Sequence, residues 1–195
     1  MHEAARAIAA AATRKLIAAD SLLALPLDAT DTPEDVVASL CCTAIAYGFS
    51  PRRLLVQLRA DEGCDVRSIA ALAAACRGRG IKIALEGYSA GPQGMKLLHE
   101  VRPHLVKLAP ALTAHLAASA PRRRLVEGVL RLARALGITV VAPAIRRGAD
   151  LSLLHTLGVT HFQSEAFETF GDEATPRHAA PRDRATGYLP SLHSV

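Results

Sequence analysis

Short apolar runs recur along the chain, and each is followed by a longer stretch whose apolar positions have helical spacing. The runs are too far apart in sequence to be joined as hairpins. They are continuously apolar rather than alternating, which is typical of strands buried in a parallel sheet and joined by right-handed crossovers. The pattern predicts strands at 22–28, 54–60, 81–87, 105–109, 138–144 and 160–167.

Helical segments are predicted between those strands and before the first of them. Pro33 suits the first position of one helix. Asp65 is expected to cap the next, because its carboxylate can accept a hydrogen bond from a free backbone N–H. Pro121 is expected to divide two helical segments, because proline disrupts a helix interior. The predicted helical ranges are 3–19, 33–47, 65–78, 92–101, 111–119, 122–136 and 150–157.

The alternation of strands and helices indicates an α/β fold with a parallel sheet. A chain of 195 residues, half of them hydrophobic, has the right size for one such domain. We expect an N-terminal helix at 1–21, the β/α domain at 22–170 and a C-terminal tail at 171–195. The tail contains several prolines and lacks helical periodicity, so it is expected to be disordered or loosely docked.

Composition narrows the classes of partner. The chain has no Trp and few aromatic residues, which argues against base-stacking platforms for nucleic acid. Its net charge of +5 supports only a weak attraction to anionic partners, and neither nucleic acid nor membrane is expected to bind. The cysteines form no CxxC pair and have no histidine at zinc spacing, so we interpret them as reduced thiols. Without a signal layout or a bilayer-length apolar stretch, a cytoplasmic location is expected.

Four segments carry a resemblance to a known family: GIKIALEGYSAG (80–91), LVKLAP (105–110), LGITVVAPAIRR (136–147) and LGVTHFQSEAF (157–167). They resemble the EAL family, the cyclic di-GMP phosphodiesterase domain. The resemblance implies an incomplete or modified (β/α) barrel of TIM type, with about six mainly parallel strands. The signature Glu-Ala-Leu strand of the family has no counterpart here. The resemblance therefore implies an N-terminally truncated barrel that is open or completed by a partner.

The family's phosphodiesterases place two divalent cations in the barrel mouth, which requires several acidic ligands. The resemblance implies that Glu86 keeps one acid of this set, and that Lys107 and Gln163 are also retained. At the other ligand positions this chain has residues that are not acidic: Pro26, Gln57, Gly87, Ala109, Pro143 and Arg146. We therefore expect a degenerate domain that holds no metal, uses no cofactor and is not an enzyme.

Three functions remain open from the sequence. The first is a non-catalytic regulatory domain in bacterial signalling that acts through a protein partner or a homo-oligomer. The second is a catalytically inactive receptor for cyclic di-GMP, and the third is a weak phosphodiesterase. Glu86 and Lys107 are also explained by a simple ion pair. The residues of the residual ligand pocket would be Gln57, Arg59, Glu86, Lys107, Arg146 and Gln163.

Overall fold

Six parallel strands lie side by side in a computed structural model that describes residues 2–13, 22–28, 32–61, 63–163 and 188–189. A short seventh strand pairs antiparallel with the first. The order across the sheet is β6-β5-β4-β3-β2-β1-β7. The strands are β1 (Leu22–Leu27), β2 (Leu54–Arg59), β3 (Lys82–Tyr88), β4 (Leu105–Leu108), β5 (Thr139–Pro143), β6 (His161–Gln163) and β7 (Tyr188–Leu189).

One helix precedes the first strand, the others connect consecutive parallel strands, and all lie on the outer face of the sheet. They are α1 (His2–Thr13), α2 (Pro33–Ala46), α3 (Val66–Gly78), α4 (Pro92–Val101), α5 (Pro110–Thr113), α6 (Ala120–Leu136) and α7 (Gly148–Thr156). Two 3-10 turns, at Pro51–Arg53 and Leu116–Ala118, complete the connections that the structure describes. The strand–helix alternation with parallel pairing confirms the predicted fold class, a curled half-barrel of the TIM type.

The sheet is buried on both faces, which explains why its strands are continuously apolar. Because successive side chains of a strand point to opposite faces, each strand contributes to two apolar layers. The outer layer packs under the helices and includes Leu85 of β3 and Ile8 of α1, which are fully buried. The concave side of the curled sheet holds a second, smaller layer: Leu22, Ala24, Leu55, Ala84, Leu105 and Val141.

Local signals in the sequence account for most helix starts. The carboxylate of Asp65 accepts a hydrogen bond of 3.0 Å from the Arg67 N–H, so the predicted cap of α3 is confirmed. The chain is divided into two helical segments near Pro121 as predicted, but the boundary lies at Ser119. Pro121 lies in the first turn of α6, where the missing N–H leaves no hydrogen bond unmade.

The predicted helix at 111–119 is also wrong in its extent. Its place is taken by the single turn of α5 and a 3-10 turn, separated by His115 in the left-handed conformation with φ 54°. A residue in that conformation ends a right-handed helix.

Parts of two predicted elements lie outside the described residues. The first predicted helix is described over His2–Thr13, and the last predicted strand over His161–Gln163. Within the predicted tail, the structure describes only the residues of β7. The three-part division of the chain stays a prediction. Among the described helices, none is long and apolar enough to span a bilayer.

Candidate functional site

The carboxyl ends of the parallel strands form the mouth of the half-barrel, where chemistry sits in folds of this type. Strand alternation decides which side chains face it. The concave apolar layer continues along each strand into Pro26, Gln57, Glu86, Lys107 and Pro143, in that order across the sheet. The strand register pairs Pro26 with Gln57, Glu86 with Lys107, and Pro143 with Gln163. The mouth is therefore rimmed by two prolines, two amides and one ion pair.

That ion pair is the central contact of the mouth. Lys107 Nζ lies 2.8 Å from Glu86 Oε1, and the Lys107 side chain is 9% exposed while that of Glu86 is 41% exposed. An ammonium group with so little access to water depends on an opposite charge. The contact matches the ion-pair alternative that the sequence left open for these two residues. It also occupies the only carboxylate that the described strand residues place on the concave face.

Arg59 ends β2 next to Glu86 in the strand register, but its side chain turns to the exposed Asp61, at 2.9 Å. That hydrogen bond, together with the charge of Asp61 and the weaker fields of Asp28 and Glu86, raises the pKa of the Arg59 guanidinium. Asp28 and Asp61 both lie just beyond strand ends, on the same side of the mouth as Arg59. The loop carboxylates here thus face a cation that the chain itself supplies.

Arg146 and Gln163 lie apart from the central pair. Gln163 ends β6, with β5 between it and Lys107, and its backbone oxygen accepts a 2.7 Å hydrogen bond from the Ala144 N–H. Arg146 is exposed in the loop that follows β5, and within the described residues it makes no ion pair with Glu86. The predicted pocket is therefore assembled only in part. Glu86 and Lys107 touch, Gln57 and Arg59 flank them on β2, and the remaining two residues sit farther round the rim.

A β-bulge in β3 changes the face of the sheet to which the side chain after Gly87 points. The register between β3 and β4 shifts between Glu86 and Tyr88, and Gly87 between them has φ 75°. Only glycine adopts this conformation without steric cost. The bulge keeps Glu86 on the concave face and sends Tyr88 into the outer core. Gly87 stands where the resemblance implies a second acid, so this backbone geometry is tied to that replacement.

The donor set does not fit a pair of divalent cations. Hard cations need several oxygen ligands, and a phosphate ligand adds more negative charge that has to be balanced. Glu86 is the one concave-face carboxylate of the described strands, and an ammonium group lies in contact with it. Throughout the described part of the chain, no three side chains of the His, Cys, Asp and Glu types are grouped so that they could hold a metal ion.

The fold and the polar mouth define a β/α half-barrel domain of the TIM type with its candidate site at the carboxyl ends of the strands. The chain matches the EAL domain family over residues 1–168, and it belongs to that family. It is 24% identical over 169 residues to the blue light- and temperature-regulated antirepressor BluF of Escherichia coli K12. That match covers 84% of this chain and 41% of BluF, so the chain spans less than half of this relative's length.

Solved structures of EAL proteins share the fold. BlrP1 of Klebsiella pneumoniae, in complex with calcium and cyclic di-GMP, superposes with a TM-score of 0.75 at 26% identity, over 84% of this chain and 42% of BlrP1. A standalone EAL protein of Vibrio cholerae O395 in its cyclic di-GMP-bound form superposes with a TM-score of 0.72 at 23% identity. That match covers 83% of this chain and 68% of the Vibrio protein.

Proposed function

We propose that this chain is a non-catalytic EAL domain that regulates bacterial signalling by binding another protein. One observation carries the proposal: the only carboxylate on the concave face of the described strands lies 2.8 Å from the ammonium of Lys107. The remaining positions that the resemblance assigns to metal ligands carry no acid. We propose the cytoplasm as the compartment.

Electrostatics argue against hydrolysis at this mouth. A two-metal mechanism needs both ions held about 4 Å apart by carboxylates, so that they activate a water and stabilise the leaving oxygen. A cation entering here would have to displace Lys107 from Glu86. The other strand residues of the mouth are amides, prolines and Arg59, and the loop carboxylate of Asp61 is already paired with Arg59. Loss of one supporting contact of a metal site typically costs about 10–100-fold in affinity or activity. Several ligands are replaced together in this chain.

The relatives favour a role in protein binding. BluF is an antirepressor, and this chain matches it over 169 residues. A domain that keeps the family's scaffold while replacing its acidic ligands still offers the outer surface of that scaffold to a partner. We therefore propose that this chain uses the fold for recognition rather than for turnover.

The test is retention of a host protein on the immobilised chain, combined with light scattering of the free chain. We expect one specific protein that is displaced by excess soluble chain. The Lys107→Met variant should retain it equally, because the ion pair at the mouth is not part of the proposed contact. A chain that stays monomeric and retains no protein specifically would contradict the proposal.

A second candidate function is binding of cyclic di-GMP without hydrolysis. It is favoured by the cyclic di-GMP bound to BlrP1 and to the Vibrio protein, and by the cationic and amide groups at this mouth, among them Arg59, Arg146 and Gln163. Calorimetric titration with cyclic di-GMP, with and without magnesium, separates it from the adaptor role. Binding heat that Arg59→Ala reduces would support the receptor. The absence of binding heat at high micromolar cyclic di-GMP would exclude the receptor function. Residual phosphodiesterase activity is tested separately, by a direct assay of hydrolysis.

A further inference from the structure

A groove of about 340 Å³ lies between α4 and α6, on the helix-covered side of the sheet. Its floor includes Tyr88 at the end of β3 and Gly128 of α6, and its walls include Met95 of α4 and Leu125 of α6. Met95 and Leu125 are 51% and 46% exposed, which is unusual for large apolar side chains that face each other across a groove. Arg124 supplies a positive charge at the same groove.

Tyr88 brings an unsatisfied polar group to this groove. The residue is only 1% exposed, and its hydroxyl has no hydrogen-bond partner among the described residues. A buried hydroxyl without a partner is unfavourable, and it is uncommon in folded proteins. The hydroxyl lies beneath the groove surface, so it marks imperfect packing under the groove rather than a donor that faces a ligand.

Gly128 gives a second, independent indication. Glycine is among the least favourable residues in a helix interior, and it is normally explained by a close contact. Gly94 of α4 has such an explanation, because a Cβ there would lie 2.1 Å from the Ser89 backbone oxygen. A Cβ at Gly128 would meet open space. The packing of the described residues does not require glycine at this point, and its effect is to leave the groove open.

We propose that the groove between α4 and α6 binds an acidic amphipathic helix of a partner protein. An apolar side chain of that helix would sit over Gly128 between Met95 and Leu125, and a carboxylate would face Arg124. Grooves between two helices take a third helix in this way, with anchors spaced at about one turn. The inference rests on the proposed protein-binding function and gives that partner a place and a chemistry.

Charge separates this partner from a second copy of the chain. In a symmetric contact centred on the groove, Arg124 would lie near the same residue of the second copy, and no acidic side chain lines the groove to offset it. Like charges brought together across an interface oppose association. The apolar walls likewise suit a protein helix better than a phosphate backbone, because nucleic acid contacts depend on polar and cationic groups.

The test begins with selection of displayed helical peptides against the folded chain, followed by fluorescence anisotropy on the enriched peptides. We expect sequences with apolar residues at i and i+4 and with Asp or Glu beside them. Gly128→Leu, which fills the groove, should weaken their binding at least tenfold, and Arg124→Glu should weaken it to a similar extent. The matched controls on the same helix, Ala135→Leu and Arg131→Glu, lie outside the groove and should leave the affinity unchanged.

Weaker binding by Gly128→Leu would not be caused by unfolding. Leucine favours a helix more than glycine does, so this variant should keep or raise the melting temperature. Enriched peptides without acidic residues, or peptides that bind Gly128→Leu as tightly as the original chain, would overturn the inference. A dimer that Gly128→Leu dissociates would also overturn it, in favour of a second copy. If a captured host protein binds Gly128→Leu unchanged, the groove is wrong while the protein-binding function stands.

Discussion

The mouth of the half-barrel and the groove between α4 and α6 differ in how their polar groups are satisfied. At the mouth, Lys107 pairs with Glu86 and Arg59 pairs with Asp61, so the chain neutralises its own charges. Beneath the groove between α4 and α6, the buried hydroxyl of Tyr88 has no partner among the described residues, and in the groove itself Gly128 leaves space unfilled. A charged ligand gains little at the mouth, because ion pairs within the chain already neutralise Glu86 and Arg59. A partner gains more at the groove, where apolar surface is exposed and space is unfilled. The difference favours recognition on the outer surface over chemistry at the mouth.

The two regions are linked by one backbone feature. The bulge at Gly87 holds Glu86 on the concave face beside Lys107, and it directs the next residue, Tyr88, toward the groove. The position at which the resemblance implies a second acid therefore has a glycine conformation, with φ 75°. Substituting an acid there would strain the backbone that places Tyr88.

The largest expected effect compares the two glycines near the groove. Gly94→Ala should destabilise the fold by about 2 kcal/mol or more, because its Cβ would overlap a backbone oxygen and the Tyr88 ring. Gly128→Ala should stabilise it by about 1 kcal/mol, because alanine favours a helix and meets nothing in open space. Urea unfolding of both variants gives the comparison. Equal losses of stability would mean that the groove is filled rather than open.

The next effect tests whether the mouth satisfies itself. Glu86→Ala should cost about 1–2 kcal/mol, because it leaves the nearly inaccessible ammonium of Lys107 unpaired. This is less than for a fully buried pair, since water reaches the Glu86 carboxylate. Lys107→Met should cost less than about 1 kcal/mol, because it leaves a partly hydrated carboxylate and adds an apolar side chain of similar length. Chemical denaturation measures both, and the reverse order of the two losses would break the comparison.

A smaller effect isolates the unsatisfied hydroxyl. Tyr88→Phe should leave the free chain equally stable or more stable by about 1 kcal/mol, because it removes a buried polar group that has no partner. Replacing a tyrosine whose hydroxyl makes a good hydrogen bond lowers the stability instead. Thermal unfolding monitored by circular dichroism distinguishes them. Clear destabilisation would show that Tyr88 is already satisfied within the chain.

The smallest effect concerns the strand end at the mouth. Ala144 has φ 54°, a left-handed conformation that is strained for alanine. Ala144→Gly should stabilise the chain by roughly 0.5 kcal/mol, the relief of strain being offset in part by the greater freedom of glycine in the unfolded chain. Ala74→Gly on the exposed surface of α3 is the matched control and should cost about 1 kcal/mol. If Ala144→Gly and Ala74→Gly both lowered the stability, the result would argue against strain at Ala144.

The strands were predictable because burial on both faces makes them continuously apolar, and that signal does not depend on distant residues. The Asp65 cap was predictable because it depends only on neighbouring residues in the sequence. The pairing of Glu86 with Lys107 was predictable because consecutive parallel strands place these two residues side by side. The boundary near Pro121 was placed two residues too late, because proline is unfavourable inside a helix but favourable in its first turn.

The groove could not be predicted from the sequence. Whether Tyr88 finds a hydrogen-bond partner, and whether Gly128 faces open space, depends on how far apart α4 and α6 lie after folding. Neither residue carries a local signal for that distance. The strain at Ala144 could not be predicted either, because alanine in a sequence does not indicate a left-handed conformation.

The central claim is that this mouth does not support metal-dependent hydrolysis, and one assay tests it directly. The folded chain is incubated with cyclic di-GMP and either magnesium or manganese, and the linear product is quantified against a sample without protein. The account predicts no product above that blank, because Lys107 occupies the one concave-face carboxylate of the described strands. Metal-dependent product formation that disappears on Lys107→Ala would contradict it.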